Sequence, residues 1–424
     1  MDFAPVKGTR DFYPEDLAIR RELFRRFRLT AAKFNFQEYD SCVLESEELF
    51  IRKAGDEITG QLYNFTDKGN RRLALRPEMT PSLTRMLISR IKSLQLPLKW
   101  FSIPQCFRYE RMQKGRKREH FQWNMDIIGD GSLNAEAELM AAAIDFCVSS
   151  GLKSEDIVIK FSNRHLLQEL FTEAGFPPER LNEVFVIIDK REKIGPEKTS
   201  AMLIEAGFSE ESVKKTEDIL GASSIEDIEQ NSGLRLQSKA EIEKLLEISE
   251  NYGIREFLEL DISIVRGLSY YTGTVFELKD KEGKHRTICG GGRYDNLMEN
   301  LGGPSVPMAG FGFGDVIISE ILSSKGMLTP PPSQCRTAVA SLTDDGIMVA
   351  VKVASGLRKK GKCVELKTNP SKIKKLISSA SRSGYEELYI VAPEELLRGC
   401  VVYKNLKERT EKELPISEIG EKGI

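Results

Sequence analysis

Hydrophobic residues recur at the spacing of an α-helix in three parts of the chain. Residues 14–34 place Leu, Phe and Arg at this spacing and predict an amphipathic helix. An Ala-rich helix is predicted at residues 134–149. Helical patterns also dominate residues 164–248, where the turns are polar and neither Gly nor Arg is concentrated. We therefore interpret residues 164–248 as a helical insertion within a larger domain.

Strand-like sequence flanks turns that are basic or rich in glycine. Residues 99–109 and 121–128 have the pattern of two strands joined by a basic, glycine-containing hairpin loop. A further strand, at residues 71–74, is followed by Pro77 and by a helix with Thr80 or Ser82 as its N-cap. Strand-like, Gly-rich sequence returns over residues 258–314.

Residues 326–334 contain three consecutive prolines and form the clearest linker, since such a run cannot continue a helix. Beyond the linker, short strands alternate with helices, which is typical of an α/β domain. The predicted strands are 336–342, 362–366, 389–392 and 400–403, and the predicted helices are 345–359 and 370–382. We therefore predict a first domain at residues 1–325, a linker at 326–334 and a small α/β domain at 335–424.

Charge is distributed unevenly between these domains. The whole chain of 424 residues has a net charge of only −2, so bulk charge does not favour binding to a polyanion. Residues 335–424, however, hold 17 Lys and Arg against 12 Asp and Glu, a net charge of +5. A basic domain on an acidic remainder favours an anionic partner such as nucleic acid. A solvated surface with a chance imbalance of charge is the alternative.

Several classes of protein are disfavoured by composition. No apolar run reaches the roughly 18 residues of a membrane span, and the first residues lack the pattern of a signal peptide. The seven cysteines stand singly, which fits a reducing cytoplasm. With three histidines, no His/Cys metal site is expected. The glycine clusters at residues 290–292 and 310–314 lack the spacing of a dinucleotide-binding fingerprint.

Two stretches mix arginines with strand-like residues, at 107–118 and 265–277. Because an arginine on a strand is costly to bury, it usually faces a cleft that holds an anion. The first stretch contains six basic residues, which Glu110 and Glu119 cannot all neutralise. They are Arg108, Arg111, Lys114, Arg116, Lys117 and Arg118. Such a loop is either simply solvated or, as we favour, in contact with a triphosphate or a nucleic-acid end.

Five segments together resemble class II aminoacyl-tRNA synthetases, and specifically the histidyl-tRNA synthetase family. They are KGTRDF at 7–12 with Pro14, LRPEMT at 75–80, the segment 107–129, RGLSYY at 266–271 and GGGRYD at 290–295. The segment 107–129 resembles class motif 2, and the last two resemble the histidine-specific motifs. Their order and their spread over most of the chain make the resemblance specific.

The resemblance implies an α+β fold with an antiparallel sheet, flanking helices, the helical insertion and a C-terminal anticodon-binding α/β domain. It implies a cytoplasmic homodimer that uses ATP, with Mg²⁺ accompanying the nucleotide, to activate L-histidine as histidyl-adenylate. Histidine is then transferred to tRNA(His), and AMP and pyrophosphate are released. No membrane contact and no metal held by side chains of the protein are implied.

The resemblance also assigns site residues, of which Arg108 and Arg266 would carry catalysis by holding the α-phosphate. The residues assigned to histidine are Glu78, Thr80, Gln122, Asp126, Tyr270 and Tyr271. The residues assigned to ATP are Arg108, Glu110, Arg116, His120, Phe121 and Arg266. The assignment is physically reasonable, because arginines offset the repulsion between a carboxylate and a triphosphate. A carboxylate and a phenol likewise suit the two nitrogens of an imidazole.

The chain departs from the family pattern at three places. Cys42 stands where motif 1 has a proline, and Ser269 stands where an aspartate is usual. Ile317 occupies the place of the motif 3 arginine that stacks on adenine. We therefore expect adenine to be held mainly from the side of His120 and Phe121.

These departures keep a second reading open, in which the chain is the synthetase-like regulatory subunit of ATP phosphoribosyltransferase. That protein binds histidine without charging tRNA. Against it stand Arg108, Arg266 and the C-terminal domain. A nucleic-acid-binding protein without catalysis is a third reading, but it leaves Glu78, Gln122 and Asp126 unexplained.

Overall fold

The computed structural model describes residues 3–54, 60–111, 115–221, 227, 229, 236–264, 271–331 and 335–419, with the side chains of 52–54, 192 and 193 left aside. The chain divides into two compact units, Met1–Pro330 and Pro331–Ile424. Each unit encloses hydrophobic clusters of its own.

The first unit combines strands and helices in a mixed order. Its strands are β1 (Gln37–Glu38), β2 (Leu44–Ser46), β3 (Asn64–Thr66), β4 (Arg72–Leu75), β5 (Leu98–Ser102), β6 (Gln105–Phe107), β7 (Glu119–Ile128), β8 (Ile157–Asn163), β9 (Leu258–Leu260), β10 (Thr274–Asp280), β11 (Cys289–Arg293) and β12 (Met308–Gly314). Its helices are α1 (Pro14–Lys33), α2 (Glu47–Ala54), α3 (Thr80–Arg90), α4 (Leu133–Ser149), α5 (Arg164–Glu173), α6 (Leu181–Ile188), α7 (Arg191–Ile194), α8 (Pro196–Glu205), α9 (Glu210–Leu220), α10 (Lys239–Asn251), α11 (Leu297–Asn300) and α12 (Asp315–Ser324). Short 3-10 turns lie at Ile91–Ser93, Pro178–Arg180 and Arg255–Phe257.

The large sheet of this unit has the strand order β1-β5-β7-β12-β11-β10-β8-β9, and β6 pairs with β7 beside this path. Pairing is antiparallel except between β1 and β5 and between β8 and β9. A small antiparallel sheet of order β2-β4-β3 stands apart from it. The mainly antiparallel sheet with flanking helices is the predicted fold, and it differs from the parallel sheet of a dinucleotide-binding domain.

Strands β7 and β12 show why one face of the sheet is a core and the other a site. On β7 the fully buried Trp123 and Met125 alternate with polar residues, and on β12 Phe311 and Phe313 alternate with glycines. The aromatic side chains point to the same face, since Trp123 and Phe313 have ring centroids 5.8 Å apart. Over residues 120–126 of β7 and 310–314 of β12, the opposite face therefore carries polar side chains and glycines, as the two-residue period of a strand requires.

Helices α1 and α4 cover the aromatic face. Phe27 of α1 stacks on Trp123 with a centroid distance of 4.7 Å and lies 4.7 Å from the ring of Phe146 on α4. All three rings are fully buried. Burying such a ring contributes about 1.5–3 kcal/mol, so this cluster stabilises the packing of α1 and α4 against the sheet.

The described part of residues 164–251 is helical and forms a packed subdomain. Its core includes the buried rings Phe171, Phe176, Phe185 and Phe208, which contact one another edge to face. Asn163, the last residue of β8, begins the first of these helices, because its side chain accepts hydrogen bonds from the amides of His165 and Leu166. This capping interaction turns the chain directly from the sheet into the helices.

The second unit is a small α/β structure. Its strands are β13 (Thr337–Ser341), β14 (Val364–Lys367), β15 (Glu387–Val391), β16 (Cys400–Asn405) and β17 (Thr410–Pro415), in the order β14-β13-β15-β16-β17. Its helices are α13 (Ile347–Lys359), α14 (Ile373–Arg382), α15 (Pro393–Leu397) and α16 (Ile416–Ile419). The sequence patterns predicted each of these elements except β17 and the two short helices. Strand β17 lies at the sheet edge and is largely exposed, so it lacks the apolar alternation that identifies a strand.

Among the described residues, no helix combines the length and apolar composition needed to cross a lipid bilayer.

Candidate active site

A polar cavity of about 1180 Å³ opens on the glycine-rich face of the large sheet. Its wall brings together residues from motif 2, from the β10–β11 loop and from the start of α12. Among them are Arg108, Glu110, Arg116, His120, Gln122 and Ile317. The cavity therefore holds four of the residues that the sequence assigned to ATP, all from motif 2, and brings them together with Ile317 from a distant part of the chain.

Two glycines of β12 make room for the polar side chains of β7. A Cβ atom at Gly312 would lie 2.4 Å from Nε2 of Gln122, and one at Gly310 would lie 2.3 Å from Oδ1 of Asp126. No other residue type fits at these positions without displacing the two polar groups. Within residues 310–314, the glycines therefore leave room for polar side chains on one face of the sheet, and the phenylalanines pack in the core on the other face.

Asp126 is buried in contact with Tyr294, on the face of the sheet that carries the glycines of β12. The carboxylate is 2% exposed and accepts a hydrogen bond from the hydroxyl of Tyr294, which is 1% exposed. The ring of Tyr271 lies 6.4 Å from that of Tyr294. Burial, followed by the charge of Asp126, also raises the pKa of Tyr39 well above its ordinary value. A buried carboxylate beside phenol groups is suited to an imidazole ring.

Tyr294 is a site residue that sequence reasoning missed. It follows the GGGR segment that carried the resemblance, but its hydroxyl reaches Asp126 only because β11 and β7 both flank β12. Nearby, a Cβ at Gly292 would lie 2.9 Å from the ring of Tyr271. The dense glycines before Tyr294 were the available signal, since they indicate that large side chains approach this strand closely.

Arg108 links the cavity to the segment that precedes α3. Its Nε donates to the carbonyl of Pro77 at 3.0 Å, which places Arg108 next to the partly buried Glu78. Thr80 is buried at the first position of α3. The neighbouring Cys106 has its pKa raised to about 12 by burial, so its thiol stays protonated and is not a nucleophile at neutral pH.

Three residues of motif 2, Glu110, Arg116 and His120, line the cavity. Glu110 and Arg116 form a close ion pair at the cavity wall. Burial, and then the charge of Arg108, lowers the pKa of His120 to about 3, so its ring is neutral at physiological pH. A neutral imidazole in this wall is better suited to contact an uncharged base than a protonated imidazole would be.

Phe121 does not line the cavity with His120 and is a correction to the expected adenine contact. As the next residue on a strand, it points to the opposite face, 5.2 Å from the ring of Phe24. The guanidinium of Arg20 lies 4.7 Å from the Phe121 ring and 4.1 Å from that of Phe12. Of the two aromatic contacts with adenine that the sequence predicted, only the one from His120 is compatible with this arrangement.

Arg10, within the KGTRDF segment, joins motif 2 to the segment that resembles motif 3. Its Nε lies 3.1 Å from Glu119 and its Nη2 lies 3.0 Å from Asp315. Asp315 also accepts a hydrogen bond of 2.9 Å from the amide of Phe121. Although burial opposes it, the two carboxylates raise the pKa of Arg10, which is permanently charged. The ion pairs hold two walls of the cavity at a set distance.

Two residues assigned from the sequence, Arg266 and Tyr270, lie outside the described residues, as does Lys114 of the basic loop. In the part of the chain that the structure describes, no cluster of three or more His, Cys, Asp or Glu side chains is arranged to hold a metal ion.

An antiparallel sheet with an arginine-lined cavity beside a buried polar pocket defines a class II aminoacyl-tRNA synthetase catalytic unit. Comparison with known proteins specifies the family. The family model described as "Histidyl-tRNA synthetase" matches residues 8–314, and that described as "Anticodon binding domain" matches residues 336–422. The chain belongs to the histidyl-tRNA synthetase family.

Individual relatives agree with this placement. The chain is 43% identical over 419 residues to the chloroplastic/mitochondrial histidine–tRNA ligase of Arabidopsis thaliana, covering 99% of this chain and 86% of that one. It is 36% identical to the histidine–tRNA ligase of Opitutus terrae, covering 98% and 97%. In fold it is similar to histidyl-tRNA synthetase from Nostoc sp. PCC 7120, with a TM-score of 0.77, 23% identity and 99% coverage of both chains.

Proposed function

We propose that this chain attaches L-histidine to tRNA(His) in two steps, through a histidyl-adenylate made from ATP. The observation that carries the proposal is the buried Asp126–Tyr294 pair next to a cavity walled by Arg108. One part suits an imidazole and the other a nucleotide, within a chain of the histidyl-tRNA synthetase family.

Histidine binding uses the buried pocket. The imidazole N–H donates to the Asp126 carboxylate, whose position Tyr294 stabilises, and Tyr271 faces the other ring nitrogen. Glu78, Thr80 and Gln122 receive the α-ammonium group. Because these polar groups would otherwise be buried without a ligand, amino acids that lack the ring nitrogens are disfavoured.

Activation joins the histidine carboxylate to the α-phosphorus of ATP. A carboxylate oxygen attacks phosphorus, the bond to the bridging oxygen breaks, and pyrophosphate leaves with that electron pair. Arg108, together with Arg266, stabilises the negative charge that develops at the α-phosphate. Glu110, Arg116 and His120 hold the rest of the nucleotide. Mg²⁺ would accompany the triphosphate and offset its charge.

Transfer follows when a hydroxyl at the 3′ end of the tRNA attacks the carbonyl carbon of the adenylate and AMP leaves. We assign the second unit to the anticodon arm of the tRNA. The anticodon-binding family model over residues 336–422 and the net charge of +5 support this role. Removal of that unit should weaken tRNA binding while histidine activation persists.

The regulatory-subunit reading is the less supported alternative. The match to an anticodon-binding domain and the placement of Arg108 in the cavity both favour charging of tRNA. ATP–pyrophosphate exchange measured with each of the twenty amino acids separates the two readings. We expect exchange with histidine alone. No exchange with any amino acid would favour the regulator, and exchange with a different one would overturn the proposal.

Asp126→Asn sharpens this test. Since the buried carboxylate accepts from the imidazole, its loss should raise the KM for histidine by roughly 10- to 100-fold, the worth of a hydrogen bond to a charged group. The KM for ATP should change little. Asp145→Asn is the matched control, because Asp145 pairs with Lys33 on the exposed side of α4. An unchanged histidine KM in Asp126→Asn would remove this residue from the pocket.

The domain organisation remains the one proposed from the sequence: a catalytic domain over 1–325 with its insertion at 164–248, a linker over 326–334 and an anticodon-binding domain over 335–424. Variants truncated on either side of the linker would test it by their cooperative unfolding.

Dimerisation and compartment are also proposals. A homodimer is supported by Val43 and Leu44, which follow Cys42 within the segment that resembles motif 1 and are 41% and 42% exposed. Analytical ultracentrifugation would contradict it by finding a monomer at micromolar concentration. The seven cysteines form no disulfide with one another, which supports a reducing compartment, for which we propose the cytoplasm. The Arabidopsis relative is named as chloroplastic/mitochondrial, so import into isolated organelles is the test.

A further inference from the structure

The wall of the cavity at the start of α12 lacks the cation that the family pattern places there. Ile317 is 8% exposed, and a Cβ at Gly115 would lie 3.4 Å from its side chain. Ile317 therefore offers an apolar surface, partly covered by the motif 2 loop. It has no charge to direct toward an aromatic ring.

Arg286 enters the same cavity from the loop between β10 and β11. The carboxylate of Asp280 fixes this loop, because it accepts from the amides of Lys284 at 2.9 Å and His285 at 3.0 Å. The end of this loop is also attached to β12, because the amide of Gly314 donates to the carbonyl of Ile288 at 3.0 Å. Arg286 is thus carried on an ordered loop.

The loop also contacts α12 itself. Nδ1 of His285 lies 3.9 Å from the carboxylate of Glu320. Glu320 is three residues after Ile317, so both side chains lie on one side of the helix. The residue that follows His285 is therefore next to the turn of α12 on which Ile317 lies.

Arg286 is available to a ligand, and it has fewer protein partners than Arg108 and Arg116 of the same wall. Arg108 donates to the carbonyl of Pro77, and Arg116 pairs with Glu110. Arg286 is exposed and forms no hydrogen bond or ion pair with any residue that the structure describes. An arginine that lines a cavity with its donors unused is poised to contact what enters the cavity.

We propose that Arg286 contacts the adenine ring of ATP and replaces, from the β10–β11 loop, the cation that is missing at Ile317. The inference rests on the proposed function. A planar guanidinium stacks on a purine, which the ammonium group of a lysine does less well. The neutral ring of His120 in the same wall supplies an aromatic contact without charge repulsion toward Arg286.

Three variants test the assignment. Arg286→Ala should raise the KM for ATP in histidine-dependent exchange, and the Kd of adenosine measured by calorimetry, each by roughly 2- to 30-fold, as expected of a cation–π contact. The KM for pyrophosphate should stay constant. Arg286→Lys should recover only part of the loss. Lys284→Ala is the matched control, since Lys284 is exposed on the same loop and pairs with Glu282 at 2.7 Å.

The adenosine measurement separates the base from the phosphates. If Arg286→Ala weakens ATP but not adenosine, Arg286 contacts phosphate and the proposal is overturned. Equal effects of Arg286→Ala and Lys284→Ala would also overturn it, because they would indicate a general change in the loop. Absence of histidine-dependent exchange in the unmodified protein would refute the proposed function alone, because adenosine binding does not depend on catalysis.

Discussion

Arg293 and Arg108 both lie at strand ends of the large sheet, but their guanidinium groups differ in how many hydrogen bonds they donate within the protein. Arg293 ends β11 and is 7% exposed. It donates to Glu136 at 2.7 Å, to the carbonyl of Ser132 at 2.9 Å and to the carbonyl of Asp130 at 3.1 Å. Arg108 follows β6 and donates from its side chain to a single carbonyl, that of Pro77.

The difference shows what distinguishes a structural arginine from a binding one. A guanidinium has five N–H donors. Those of Arg293 are used within the protein, so this residue closes the structure around the start of α4. Most of those of Arg108 are left for a ligand in the cavity. Arginine-rich strand segments therefore predict either outcome, and the fraction of donors already used decides between them.

Glu136→Ala breaks the closed side of this comparison and should have the largest effect on stability. Removing Glu136 leaves the buried Arg293 with Asp295, at 3.2 Å, as its remaining carboxylate partner, at a cost of up to about 3–5 kcal/mol. Urea unfolding of the first unit measures it. Glu38→Ala is the control, because Glu38 pairs with Arg28 on the exposed surface, where such pairs contribute at most about 1 kcal/mol. Equal losses in the two variants would contradict the comparison.

Arg108→Ala tests the arginine whose donors are mostly left for a ligand. We expect the free energy of unfolding to change little, because few protein contacts are lost. Adenylate formation should slow by roughly 10²- to 10³-fold, as for other preorganised donors to a developing charge. Single-turnover kinetics with histidine and ATP give the rate. Arg111→Ala serves as the control, since Arg111 is exposed on the same segment. A normal rate in Arg108→Ala would assign Arg108 to structure, like Arg293.

His120→Phe tests the burial of the cavity wall through the pH dependence of the free energy of unfolding. Of the three variants it should have the smallest effect. The pKa of His120 is lowered from 6.5 to about 3 in the folded protein. As the pH falls below 6.5, the unfolded chain binds a proton that the folded chain refuses, so stability declines by up to about 1.4 kcal/mol per pH unit. Above that pH the residue has no such effect.

The phenylalanine variant cannot bind this proton in either state. Its stability relative to the unmodified protein should therefore rise steadily as the pH is lowered from 6.5 toward 5, in urea unfolding at each pH. Parallel pH profiles for the two proteins would show that His120 is not desolvated in the cavity wall. Because Arg108 contributes to the lowered pKa, Arg108→Ala should raise the pKa of His120 in the folded protein, so the decline in stability should level off at a higher pH.

Sequence alone determined the family of this protein and several of its helices and strands. The apolar spacing predicted α1 from residue 14, where Pro14 and two acidic residues begin it. The strand predicted at residues 121–128 corresponds to β7, because its strand-forming residues follow one another directly after the basic loop. Motif resemblance then predicted site residues, of which Arg108, Glu110 and Gln122 line one cavity.

Tertiary structure alone decided which distant groups meet. Tyr294 reaches Asp126 across 168 positions of sequence, and Arg293 reaches Glu136 across 157. It also decided that His120 faces the cavity while Phe121 packs on Phe24. Local patterns follow from backbone geometry and burial within one element. Whether an arginine's donors are used up or left for a ligand depends on side chains that only the folded sheet brings within hydrogen-bonding distance.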